Sequence, residues 1–140
     1  MKYQAYPEGW LVRLEVGDEI LESLTRLCEA EDIRLAQVSG IGAANDVTVG
    51  IFDTKQKVYT TSRHEGEFEI AQLTGNITRQ DGKPYLHIHI TVCNPVTGEF
   101  AAGHLSRTVI SATAEIFVRR WAGEVGRRFS EEVGLNLLEF

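Results

Sequence analysis

Three of the four histidines, His87, His89 and His104, fall within eighteen residues of one another. They sit in Pro84-Tyr-Leu-His87-Ile-His89-Ile-Thr-Val-Cys93 and Phe100-Ala-Ala-Gly-His104. Side chains alternate along a β-strand, so a His-X-His pair points both imidazoles to one face. A third imidazole from a neighbouring strand would complete a three-nitrogen set for a divalent ion. Zn²⁺ suits such a set, and a nitrogen-only set does not choose it over Ni²⁺, Co²⁺ or Fe²⁺. A tetrahedral ion would keep one position open for water, substrate or a fourth side chain.

Whether the three meet depends on strand register. Leu86, Ile88 and Ile90 must face the core, which leaves His87, His89 and Thr91 on the opposite face. If Asn94 pairs with Glu99 across a short loop, His104 lies opposite His89 and on its face; a shift of one residue sends His104 to the core side. Opposed Cβ atoms stand roughly 4.5–5.5 Å apart and successive same-face residues about 6.5–7 Å apart, so convergence on one ion at about 2.0–2.1 Å is feasible. Gly103 lets another group approach the backbone closely. The alternative is three ordinary polar residues on a wet sheet face.

A carboxylate near such a site would be a fourth ligand or a general base. Spacing alone does not place one there. His64, beside Arg63 and Glu65, reads as a surface residue in a turn. Ser39-Gly-Ile-Gly-Ala43 holds a G-x-G, but no third glycine and no amphipathic helix follows, so it reads as a bulge or tight turn rather than a phosphate loop. No Gly-x-Ser-x-Gly elbow occurs, and nothing marks Cys93 as an activated nucleophile.

The elements that must position these residues belong to a chain of 140 residues with 43% apolar content, the size of one domain spanning 1–140. Cys28 and Cys93 lack paired spacing and read as reduced core thiols. The N-terminal residues show no apolar run of a signal peptide, and no stretch approaches the ~18 apolar residues of a membrane span, so a soluble, cytoplasmic protein without membrane association is expected. A formal charge of −6 argues against a broad phosphate-binding surface. The basic pairs Arg119-Arg120 and Arg127-Arg128 read as a solvated face or as partners of nearby glutamates.

Asp18 is a plausible N-cap for a helix running to about Ala30 or Glu31, with Ile20, Leu21, Leu24, Leu27 and Cys28 forming one apolar stripe. Strand patterns follow over 34–41, 46–52, 57–61, 67–77, 85–93, 100–107 and 112–120. Phe68 and Ile70 occupy even positions while Leu73 and Ile77 occupy odd ones, which calls for a β-bulge near Ala71 or Gln72. One helix packed on a curved, mostly antiparallel sheet is an α+β domain. The tail from Phe129 to Phe140 is too apolar for a disordered acidic segment and should pack on the domain or on another subunit.

Gly40-Ile-Gly-Ala43, Gly66-Glu-Phe-Glu-Ile-Ala-Gln-Leu-Thr-Gly-Asn-Ile77, His87-Ile-His89, Gly103-His-Leu105 and Thr113-Ala-Glu-Ile116 together resemble the PPC (plants and prokaryotes conserved) domain. The resemblance implies an α+β fold assembled as a homotrimer. It also implies a metal-binding cluster at His87, His89 and His104, and it makes Glu69 a candidate catalytic carboxylate. A DNA-associated role, direct or through a DNA-bound partner, comes with the same resemblance. The chain has no Arg-Gly-Arg-Pro core of an AT-hook, so that minor-groove reader is missing. Two classes of function follow. One is a metal-binding protein with a regulatory or ligand-binding role; the other is a zinc-dependent hydrolase or lyase acting on a small molecule at the three histidines.

Overall fold

The computed structural model describes residues 1–140. Alternation of apolar and polar residues produces the strands β1 (Lys2–Tyr6) and β2 (Gly9–Glu15), in which Trp10, Val12 and Leu14 are buried. The helix α1 (Ile20–Ala30) follows. Its cap is Glu19 rather than Asp18: the Glu19 carboxylate accepts the N–H of Glu22 at 2.7 Å. Asp18 is drawn off by two other donors, the Glu15 N–H and the amino terminus. Ile20, Leu24, Leu27 and Cys28 are fully buried on the inward stripe, where truncating a leucine to alanine costs about 2–5 kcal/mol. Burial pushes the Cys28 thiol up to about 12.

The later strands are fewer and longer than the sequence suggests. They are β3 (Ala36–Asp53), β4 (Val58–Gln80), β5 (Lys83–Cys93) and β6 (Phe100–Arg120). The gaps between the shorter expected strands are absorbed as irregularities within continuous strands, and the Gly40–Gly42 segment takes the bulge rather than the tight turn: β3 shifts register between Gly40 and Gly42 and again between Ala44 and Asp46. Straight strands of 18 to 23 residues would extend ~60–75 Å, so the bulges are what bend them around a core of domain size. The expected bulge in β4 lies between Ile70 and Gln72, against β5, and it returns Leu73 and Ile77 to the buried face with Phe68 and Ile70.

The six-stranded antiparallel sheet has the order β1-β2-β6-β3-β4-β5, with β5 also pairing to β6. β6 is the hinge of this arrangement. Its C-terminal half lies between β2 and β3, while its N-terminal half lies between β3 and β5. The sheet thereby closes on itself through β3, β4, β5 and β6, and α1 packs against β5 and β6. A separate hairpin of β7 (Gly126–Ser130) and β8 (Leu135–Glu139) returns against β4. It is tied there by the Arg79 N–H to the Val125 carbonyl and by Arg127 to Thr78 and Asn76. The tail is thus tied to its own chain at β4, while its apolar side chains Phe129, Leu137, Leu138 and Phe140 remain exposed.

Candidate metal and ligand site

The loop between β5 and β6 sets the site. Asn94 accepts the N–H groups of Val96 and Thr97 on its side chain, and its own N–H donates to the Glu99 carbonyl at 2.8 Å. That pairing fixes the register: His89 lies directly opposite His104, and Ile90 opposite Gly103. Ile88 and Ile90 are buried, so His87, His89 and His104 project from the opposite face.

The rings converge. Centroids of His89 and His104 are 4.2 Å apart, His87 and His104 5.1 Å and stacked, His87 and His89 5.3 Å. One nitrogen from each residue falls within 4.8 Å of the others. Donor atoms around a tetrahedral ion at roughly 2.0–2.1 Å stand ~3.4 Å apart, so the cluster is near ligating geometry. His87 Nε2 is buried and has no hydrogen-bond partner in the protein. A buried polar atom left without a partner is costly, and a metal ion is one group that would satisfy it. Burial, then the neighbouring His104, Arg127 and His89, lower the His87 pKa; burial, then His89, lower that of His104. Both are held toward the neutral form that ligates metals. The residues therefore fit a divalent transition ion.

Two close approaches shape the surroundings. A Cβ at Gly103 would lie 2.6 Å from the Gly50 carbonyl oxygen, so only glycine allows β3 and β6 to pack here. A Cβ at Gly50 would lie 1.9 Å from the Tyr59 hydroxyl. The bare Gly50 backbone lets the Tyr59 ring cross β3, reach Ser106 Oγ at 2.8 Å and come within 6.0 Å of the His104 ring.

Beside the histidines lies a cavity of about 660 Å³ between β4, β5, β6 and the β7–β8 hairpin. Phe52, Tyr59, Tyr85, Leu86 and Leu135 supply apolar wall, and Asn76, Arg127 and Asn136 supply the polar part. Arg127 is neither on a solvated face nor paired with a glutamate. Its guanidinium is instead partly enclosed, lies 4.4 Å over the Tyr85 ring and donates to Thr78 Oγ1, Asn76 Oδ1 and the Asn136 carbonyl. Burial lowers its pKa. Arg128 does pair with Glu139 at the surface, and Arg120 covers the Trp10 ring.

Glu69 is not brought beside the histidines within the chain. It is opposite Cys93 and Ala43 and lines a different hollow with Ile41 and Glu115. Its position is five residues along β4 from Thr74, the partner of His89, or roughly 15 Å of strand. His64 belongs to β4 rather than to a turn; its Nδ1 lies 2.7 Å from Glu99 and its Nε2 3.0 Å from Ser62.

Three comparisons bear on this site. The family model of the Plants and Prokaryotes Conserved (PCC) domain matches residues 1–122. No curated protein sequence matches significantly. Among solved structures, a "putative DNA-binding protein" from Ralstonia eutropha is 32% identical with a TM-score of 0.91, over 99% of this chain and 96% of that one. A metal-containing protein from Archaeoglobus fulgidus is 31% identical with a TM-score of 0.89, over 99% and 97%. A "putative DNA binding protein" from Bacteroides thetaiotaomicron is 29% identical with a TM-score of 0.94, over 99% and 96%.

Proposed function

Because this chain belongs to the Plants and Prokaryotes Conserved domain family, we propose that it is a homotrimeric metal-binding protein whose metal site serves a regulatory or ligand-binding role. Residues 1–140 act as one domain in this reading, and His87, His89 and His104 hold one Zn²⁺ or a similar divalent ion per chain. The observation that carries it is the convergence of one nitrogen from each of the three histidines, together with the buried, unpartnered Nε2 of His87. The Archaeoglobus relative, itself metal-containing, supports the same reading. Metal analysis of the protein as isolated should give about one ion per chain, and the variant carrying His87→Ala, His89→Ala and His104→Ala should give none. Equal metal content in the two proteins would sink the site.

The trimer is supported by the outer sheet face, where Ile41 on β3 is 59% exposed and Phe117 on β6 is 59% exposed. Apolar side chains so placed on a sheet are commonly covered by a neighbouring copy. Sedimentation should give three chains per particle, and Phe117→Glu should shift it toward monomer.

Association with DNA, direct or through a DNA-bound partner, rests on the names of the Ralstonia and Bacteroides relatives. A charge of −6 makes the partner-mediated route the better supported one. Titration with duplex across salt separates them, since phosphate-driven affinity falls as salt rises. Metal-assisted hydrolysis, with Glu69 moving the proton, draws on the open coordination position of a three-histidine set. It is less well supported, because the cavity wall beside the histidines carries no aspartate or glutamate.

A further inference from the structure

The cavity beside the histidines carries positive charge that the chain does not neutralise. Arg127 is the basic residue of its wall, and no carboxylate lines it. All three hydrogen-bond partners of the guanidinium are neutral: Thr78 Oγ1 at 2.8 Å, the Asn136 carbonyl at 2.9 Å and Asn76 Oδ1 at 2.9 Å. An arginine has five N–H donors, so two remain for a ligand. A partly buried charge without a counter-ion loses some of its hydration uncompensated, and an anionic partner would offset that loss. Asn76, which receives one of these bonds, is the register partner of His87, so the guanidinium stands next to the histidine cluster.

The rest of the wall is apolar. The Tyr85 ring lies under the guanidinium, and Leu86 and Leu135 continue the surface. At about 660 Å³ the cavity is of the size that encloses a small organic molecule, ~300–1,000 Å³. A single inorganic anion would leave most of that wall bare.

We propose that this cavity binds a small organic monocarboxylate, with its carboxylate on Arg127 and its apolar body against Tyr85, Leu86 and the β7–β8 hairpin. The inference deepens the ligand-binding reading above and rests on it in one respect: a divalent ion on three neutral imidazoles would add two further positive charges beside Arg127. The arginine contact stands without the ion. Arg127 also makes the hairpin part of the site, although residues 126–139 lie outside the span matched by the family model.

Hexanoate and benzoate, with hexanamide and benzamide as uncharged counterparts, test this by calorimetry on the full chain. Each titration is run on metal-loaded protein and on protein stripped by chelator. The carboxylates should bind at least 10-fold more tightly than their amides to both forms, and more tightly to the loaded one. Arg127→Met should abolish that preference while leaving the metal content of the loaded protein unchanged. Leu135→Glu, which supplies a carboxylate from the hairpin and keeps the guanidinium, should weaken carboxylate binding to a similar degree; it guards against an Arg127→Met protein that fails to fold. Equal binding of acid and amide, an Arg127→Met protein that retains the preference, or acetate and phosphate binding as well as hexanoate would each overturn the proposal. A preference seen equally in loaded and stripped protein, or a wild type that takes up no metal, would count against the metal reading alone.

Discussion

Two arginine-bearing regions of the sheet treat charge in opposite ways. Around Asp46 on β3, Arg63 makes a two-pronged contact at 2.8 and 3.1 Å and Arg107 pairs with the same carboxylate. Arg63 also reaches Glu65 at 3.0 Å. Every charge there has a partner from the chain. At the other region, Arg127 is held only by neutral groups, and His87 keeps a buried nitrogen with no partner at all. Charges that serve the fold are neutralised by it. A guanidinium held by neutral groups and a buried nitrogen without a partner leave the second region open to a ligand in the reading proposed above, a contrast that residue type alone does not show.

The largest test of that contrast is removal of one ligand. His87→Ala takes away the buried donor and should lower metal affinity roughly 100-fold or more, since even losses of groups that merely orient a ligand cost about 10–100-fold. Competition with a chromogenic chelator measures it. A smaller effect is expected at the compensated region. Asp46→Asn leaves two arginines that are 58% and 50% exposed and can turn to water, so the melting temperature should fall by only a few degrees, the scale of exposed ion pairs. Metal uptake should not change. If Asp46→Asn weakened metal binding as much as His87→Ala, the two regions would not be separate.

Much of the site was legible in the sequence because it depends on local rules. Strand parity puts His87 and His89 on one face, and the short loop after Asn94 puts His104 opposite His89, which the structure reproduces. The bulge near Ala71 follows from the phase change between Ile70 and Leu73 in the same way. The long strands were less legible, because the sequence pattern breaks between residues 41 and 46 and leaves Gly40 and Gly42 as either a bulge or a tight turn, and only pairing with the neighbouring strands makes them bulges within one continuous strand. Arg127 was not legible as part of the site. Its partners Thr78 and Asn76 lie 49 and 51 residues away, and its place depends on where the hairpin closes on β4. Family likeness alone suggested Glu69, and likeness to a motif does not fix a distance to the histidines.

Gly50 offers a milder perturbation of the same region. A Cβ there meets the Tyr59 hydroxyl at 1.9 Å, and the ring, itself about half exposed, can swing outward. Gly50→Ala should therefore leave the metal count near one per chain and break the contact with Ser106. Its expected cost in stability is within about 1 kcal/mol, the scale of one ordinary hydrogen bond. Carboxylate affinity should change by only a few-fold, since Arg127 and Tyr85 keep their places. Calorimetry with hexanoate reads this directly, and a loss as large as that of Arg127→Met would move the anion contact toward Tyr59.

The smallest effect concerns pH, and it divides the two regions most cleanly. In metal-free protein, His87 and His104 titrate below the ordinary histidine value, so the unfolded chain takes up protons first. Their contribution to stability is complete above about pH 6.5 and is lost as pH falls toward and through the lowered folded values. Asp46 also titrates below its ordinary value, chiefly because Arg63 hydrogen-bonds the carboxylate. Its contribution is complete above about pH 3.9 and is lost only as pH falls further. Glu15 and Asp18, lowered by Lys2 and by the amino terminus respectively, add to that second window. Melting of the stripped protein should thus show two declines on acidification. His87→Gln with His104→Gln should remove the upper one and keep the lower; Asp46→Asn should reduce the lower and keep the upper. Loss of both declines in either variant would mean that the two regions unfold as one electrostatic unit.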